Sequence, residues 1–132
     1  MPLRRAIYFA LVATALMTTM VRAQPQAPNG GGACFFSRNF QQWRAPDANT
    51  ILIRVGVNRF YRLDLAAPCR TLQFPNSHLV TIFRGSDTIC SPLDWDLRVE
   101  QYPAGIAEQC IVRSMTQLTP EQVASFPPRF RP

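Results

Sequence analysis

There is no lysine anywhere in this 132-residue chain, and only one histidine, His78. There is no Cys-x-x-Cys pair, no Gly-x-Ser-x-Gly segment, and no second apolar run of membrane-spanning length beyond the first 20 residues. Each absence removes a chemistry. A histidine-based metal site cannot be assembled from one histidine. A Ser-His-Asp hydrolase would have to use His78, with no nucleophile elbow to present its serine. A zinc knuckle or a thioredoxin-type redox pair needs closely spaced cysteines, and Cys34, Cys69, Cys90 and Cys110 stand far apart. The run Gly30-Gly31-Gly32 is no phosphate cradle, because no strand precedes it, no helix follows it and no lysine accompanies it.

What is present begins with the first 23 residues. Arg4 and Arg5 open the chain with positive charge, and Ala6 to Met20 is uncharged and mostly apolar. Val21-Arg22-Ala23 then supplies small or medium residues at the −3 and −1 positions of a cut between Ala23 and Gln24. This is the pattern of a secretory signal peptide. The competing reading is an uncleaved anchor. However, the apolar run is short of the roughly 20 residues a spanning helix needs, and Thr14, Thr18 and Thr19 dilute it. A periplasmic or secreted protein is therefore expected, with no membrane span after processing. In an oxidising compartment the four cysteines are expected to form disulfides. Four cysteines allow three pairings. The expected one joins Cys69 to Cys90 as a local clasp and Cys34 to Cys110 across two similar-looking strand starts.

Without residues 1–23 the chain has 109 residues, one domain's worth. It then holds 11 arginines against 8 acids, a formal +3 rather than the whole chain's +6. That small excess permits contact with anionic envelope polymers without requiring it.

Residues 24–33, with Pro25, Pro28 and three glycines, read as a flexible linker. From Cys34 the pattern is mainly β. Cys34 to Trp43 is aromatic-rich and ends at a turn composition, Arg44-Ala45-Pro46-Asp47-Ala48-Asn49. Ile51, Ile53 and Val55 alternate with Leu52 and Arg54. After Gly56-Val57-Asn58, Tyr61, Leu63 and Leu65 alternate with Phe60, Arg62 and Asp64, which predicts a hairpin. Further short strands are expected at 79–83, 88–90, 95–102 and 110–116. One helix is expected over about 120–126. Thr119 is its N-cap, Pro120 its first residue, and Gln122 completes a capping box. The tail 127–132 is expected to fray. The fold class is a small antiparallel sheet, barrel-like or sandwich-like, over residues 34–126 with one short C-terminal helix.

Several of these residues together carry a resemblance. They are Cys34, Thr50-Ile51-Leu52-Ile53-Arg54, Phe60-Tyr61-Arg62-Leu63, Cys69 before Leu72, Ser86-Asp87-Thr88-Ile89-Cys90, and Cys110 with Leu118-Thr119-Pro120-Glu121. Over residues 34–126 the chain resembles a family of small exported bacterial proteins known only as a domain of unknown function. The resemblance implies an exported, cysteine-bearing, β-rich domain and supplies no catalytic residue.

The residues themselves offer three candidate chemistries. Arg54 and Arg62, at the polar positions of the hairpin with Phe60 and Tyr61 nearby, could hold an anion. Nucleic acid is the weaker ligand for an exported chain of low charge. Asp94 and Asp96 bracket Trp95 and would share one face of a strand, as paired carboxylates of a small hydrolase do. His78 reads as a solvated loop residue. The expected function is a non-enzymatic binding or interaction domain of the envelope, with no cofactor and no metal. Its partner would be an anionic polymer or a protein. The alternatives are a small secreted hydrolase using Asp94 and Asp96, and an inhibitor or accessory subunit of a larger protein.

Overall fold

A computed structural model describes residues 34–82, 86–103 and 105–132. The expected signal peptide, the cut between Ala23 and Gln24, the linker and part of the turn at 84–87 lie outside the described residues. Among the described residues nine strands and one α-helix follow in order: β1 Phe35–Phe36, β2 Phe40–Asp47, β3 Thr50–Val55, β4 Arg59–Leu65, β5 Ser77–Ile82, β6 Thr88–Ile89, β7 Asp96–Gln101, β8 Ile106–Gln109, β9 Val112–Leu118 and α1 Pro120–Ser125. They make three antiparallel sheets, in the orders β2-β3-β4-β9, β5-β7-β8 and β1-β6. The fold is mainly β, and no closed barrel forms among the described residues.

The hairpin β3–β4 is the spine. Its register puts Ile53 opposite Tyr61 and Ile51 opposite Leu63. Ile51, Ile53, Val55, Tyr61 and Leu63 are all fully buried. Gly56 makes the reversal possible: its φ is +61°, where a side chain would be strained. Its N–H donates to the Asn39 carbonyl at 2.7 Å. Val57, in the turn, is 83% exposed. The inner faces of the two larger sheets meet in one core. Leu97 and Val99 of β7, Phe35 of β1 and Ile89 of β6 pack with the β3–β4 residues and with Val112 of β9. Phe35 stacks at 5.0 Å from Tyr61 and 6.1 Å from Trp95.

Three local differences from the sequence reading have physical causes. The stretch around Arg44 is strand, not turn: β2 runs to Asp47 and the turn is only Ala48 and Asn49. Pro46 is tolerated because β2 is an edge strand with a register shift between Arg44 and Asp47. Asp47 Oδ1 accepts from Asn49 N–H at 2.7 Å, so the aspartate closes the turn that follows it. The second difference is β8, which the sequence reading passed over. Ala107-Glu108-Gln109 carries no alternation, and a four-residue strand leaves little signal. The third is that the chain's end is tied down. Pro128–Phe130 is a 3-10 turn, and Arg131 donates to the carbonyls of Ala124 and Phe126. Helix α1 has the expected start. Thr119 accepts from Gln122 N–H, and the Gln122 side chain accepts from Thr119 N–H at 2.8 Å.

The disulfides correct the expected pairing. Cys34 joins Cys90, with Cα atoms 4.2 Å apart, and Cys69 joins Cys110, at 5.7 Å. The first follows from β1–β6. Phe35 lies opposite Ile89, so Cys34 and Cys90 fall at the next register position. The second follows from a corner. Cys110 lies between β8 and β9, where the chain passes from one sheet to the other, and Cys69 is held nearby by its N–H on the Ala48 carbonyl.

Candidate functional site

The outer face of the four-stranded sheet gathers the arginines. Strand alternation places Gln42 and Arg44 of β2, Leu52 and Arg54 of β3, and Arg62 and Asp64 of β4 on that face. Arg44 and Arg62 flank Leu52 in register, and Gln42 lies opposite Arg54. Leu52 is 1% exposed yet stands outside the main core cluster, as does Val123 of α1. The chain leaves β9 at one edge of the sheet and ends against β2 at the other, through the turn Pro128–Phe130. The C-terminal segment thus passes from one edge of this sheet to the other.

The two arginines singled out from sequence differ in commitment. Arg62 Nε donates to Asp64 Oδ1 at 2.7 Å, and Asp64 Oδ2 accepts from Ser114 at 3.1 Å. Arg62 is therefore an internal ion-pair partner with one side still exposed. Arg54 has no carboxylate partner among the described residues. Its Nε is buried with no hydrogen bond. One orientation of the Gln42 amide accepts Arg54 Nη2 at 3.4 Å; the other accepts both terminal nitrogens of Arg44, at 2.6 and 3.1 Å. One amide oxygen does not serve both arginines well. Arg44 also donates to the Trp43 carbonyl at 2.8 Å and meets no carboxylate among the described residues. The sequence reading missed Arg44 because it placed the residue in a turn. Extending the strand to Asp47 would have put it on the face of Arg54.

The carboxylate pair is built for a different task. Asp94 Oδ2 accepts from Cys90 N–H at 2.8 Å, Ser91 N–H at 2.7 Å and the Ser91 hydroxyl at 3.1 Å. It caps the 3-10 turn Pro92–Asp94. The Cys90 N–H first, then that of Ser91, hold its carboxyl below the usual carboxylate range. A general acid needs the opposite shift. Asp96 lies 3.6 Å from Arg98 Nε as an ion pair. Both aspartates line an open, polar cavity of about 390 Å³ with Trp95, Thr88, Ser86 and Gln109. His78 is on β5 rather than in a loop, opposite Glu100.

A third cluster joins Cys69, Cys110 and Glu108, whose ligand atoms lie within 4.8 Å of one another. Both sulfurs are already bonded to each other, so neither is a thiolate. Glu108 accepts from Thr71 N–H at 2.8 Å, and the Thr71 side chain, then that N–H, hold its carboxyl low. The cluster is a joint between the two sheets.

A family model matches residues 3–126. The chain belongs to the family of unknown function DUF6491. The match starts well before Cys34 and takes in the N-terminal segment from residue 3. No curated protein and no solved structure matches the chain.

Proposed function

We propose that this DUF6491 member is a non-enzymatic binding domain that works outside the cytosol and takes an anionic group between Arg44 and Arg54. The observation that carries the reading is the shared Gln42. Two guanidinium groups flank one amide, no described carboxylate neutralises either, and Arg54 Nε is buried without a partner. A carboxylate or phosphate oxygen would accept from the terminal guanidinium nitrogens that compete for Gln42, in the forked geometry guanidinium favours. Arg62, occupied by Asp64, plays a supporting part. The two disulfides and the signal-like N-terminus support a site of action in an oxidising compartment.

Retention on immobilised dextran sulfate and polygalacturonate at low salt tests this. The variant Arg44→Gln/Arg54→Gln should lose most of its retention, Arg62→Gln should keep most of it, and salt should release the wild type. A double variant retained like the wild type would end the reading.

A further inference from the structure

The two disulfides meet solvent differently. Cys69 and Cys110 are 2% and 4% exposed and belong to the main core cluster. Cys34 and Cys90 are both exposed. Thiol–disulfide exchange begins with a thiolate reaching one sulfur of the bond, so access decides which disulfide reacts while the protein stays folded. A dissolved dithiol reaches Cys34–Cys90 directly. It reaches Cys69–Cys110 only after the core has opened.

The exposed bond joins two small elements. β1 and β6 are two residues long, and among the described residues they pair only with each other. Besides the disulfide, β1 is held by Phe35, which is buried against Tyr61 and Trp95. Its other ties lie near the surface. Ser37 N–H donates to the Asp87 carbonyl at 2.8 Å, Arg59 donates to the Cys34 carbonyl at 3.3 Å, and Arg38 pairs with Asp87 at 3.6 Å. The other half of the disulfide is better seated. Asp94 Oδ2 accepts from the N–H groups of Cys90 and Ser91, and Ile89 beside them is 1% exposed. When the bond opens, β1 is therefore the side that moves. Phe35 is part of the wall of the cavity of about 180 Å³ shared with Phe40, Leu79, Ile89 and Trp95, so its departure widens that cavity.

We infer that Cys34–Cys90 is a thiol–disulfide exchange site for a dithiol, and that its reduction lets β1 peel from β6 while Cys69–Cys110 still ties the turn after β4 to the β8–β9 corner. One thiolate of the dithiol attacks a sulfur of Cys34–Cys90. The S–S bond breaks, a mixed disulfide forms, and the second protein sulfur leaves as a thiolate that takes up a proton. The dithiol's other sulfur then displaces the first protein sulfur. Two electrons and two protons have passed to the protein, which holds two thiols, and the dithiol has become a disulfide.

Titrating the folded chain, with both disulfides formed, with dithiothreitol and trapping thiols with iodoacetamide tests this. Peptide mapping should find Cys34 and Cys90 alkylated at least about tenfold faster than Cys69 and Cys110. The one-disulfide species should keep the circular dichroism of the oxidised protein. Its amides at residues 35–37 should exchange at least about tenfold faster, while those of the β3–β4 hairpin stay protected. Cys34→Ser/Cys90→Ser should fold and reproduce that exchange pattern without reductant. Loss of both disulfides together, or of Cys69–Cys110 first, would overturn the exchange site. A one-disulfide species whose amides at 35–37 stay as protected as before would overturn the release of β1, and so would a serine variant that does not fold.

Discussion

At one side of the two facing sheets the chain itself turns the corner: β8 runs through Cys110 into β9. Cys69 is bonded to Cys110 there, Cys110 N–H donates to the Leu97 carbonyl as the last rung of the β7–β8 ladder, and Glu108 accepts from Thr71 N–H. At the other side β2 and β5 belong to different sheets with no ladder between them among the described residues. The space there is the cavity lined by Phe35, Phe40, Leu79 and Trp95. Both seams bury apolar side chains. The first has a disulfide that ties the turn after β4 to the β8–β9 corner; the second has Cys34–Cys90, which ties β1 to β6 beside the cavity. The inner face of the β3–β4 hairpin is buried, whereas the seam beside β5 keeps a cavity of about 180 Å³ between partly buried side chains.

The largest way to break the contrast is to cut the staple. Cys69 and Cys110 are 41 positions apart in sequence, so in the chain-entropy treatment their bond is worth about 4 kcal/mol. Cys69→Ala/Cys110→Ala should lower stability by close to that amount in urea denaturation. Non-reducing peptide mapping of the wild type should find Cys34 linked to Cys90. A link from Cys69 to Cys90 would return the pairing that local sequence suggested.

That pairing was illegible for a definite reason. Cys34 and Cys90 meet because two-residue strands β1 and β6 pair, and such strands leave almost no pattern. The hairpin at 50–65 was legible because it is buried on the face where Ile51, Ile53, Tyr61 and Leu63 alternate. Leu52 shows the limit of that logic. It sits at a polar-face position and is buried all the same, because the other face is also covered there. Of the candidate site, Arg54 could be read from its alternation. Arg44 could not, because Pro46 imitates the end of a strand. The ion pair of Arg62 with Asp64 was foreseeable only as a possibility of i, i+2 neighbours on one face.

The next test compares the hairpin with the open seam. Ile53 is fully buried, and Ile53→Ala should cost about 3 kcal/mol. Leu79, half-buried beside the cavity, should cost about 1 kcal/mol on truncation, because its surroundings are already partly open. Equal losses in parallel denaturation curves would mean that the seam beside β5 is as tightly packed as the hairpin core. Thr81→Val beside the same cavity leaves it nearly as large and should change stability by less than about 1 kcal/mol, since it exchanges a hydroxyl for a methyl at a half-buried site.

The smallest expected effect concerns acid. Glu108 at the stapled corner has its carboxyl held low by the Thr71 side chain and N–H. A carboxyl whose folded pKa is depressed contributes stability above its unfolded value, about 4.3 for glutamate, and loses it as pH falls through the folded value. The corner should therefore weaken only below about pH 4, and not between pH 5 and 8. Glu108→Gln keeps an acceptor for Thr71 N–H but cannot titrate. Its stability should fall less steeply than the wild type's across the acid range, with curves nearly parallel at neutral pH. Asp94→Asn provides the comparison at the Cys90 turn, away from the corner. Its carboxyl is also held low, chiefly by the Cys90 N–H, but it is exposed and screened by water. Flattening of the acid limb should therefore be greater for Glu108→Gln than for Asp94→Asn. If Asp94→Asn flattens it more, the turn that carries Cys90, and not the stapled corner, is the acid-sensitive joint of the molecule.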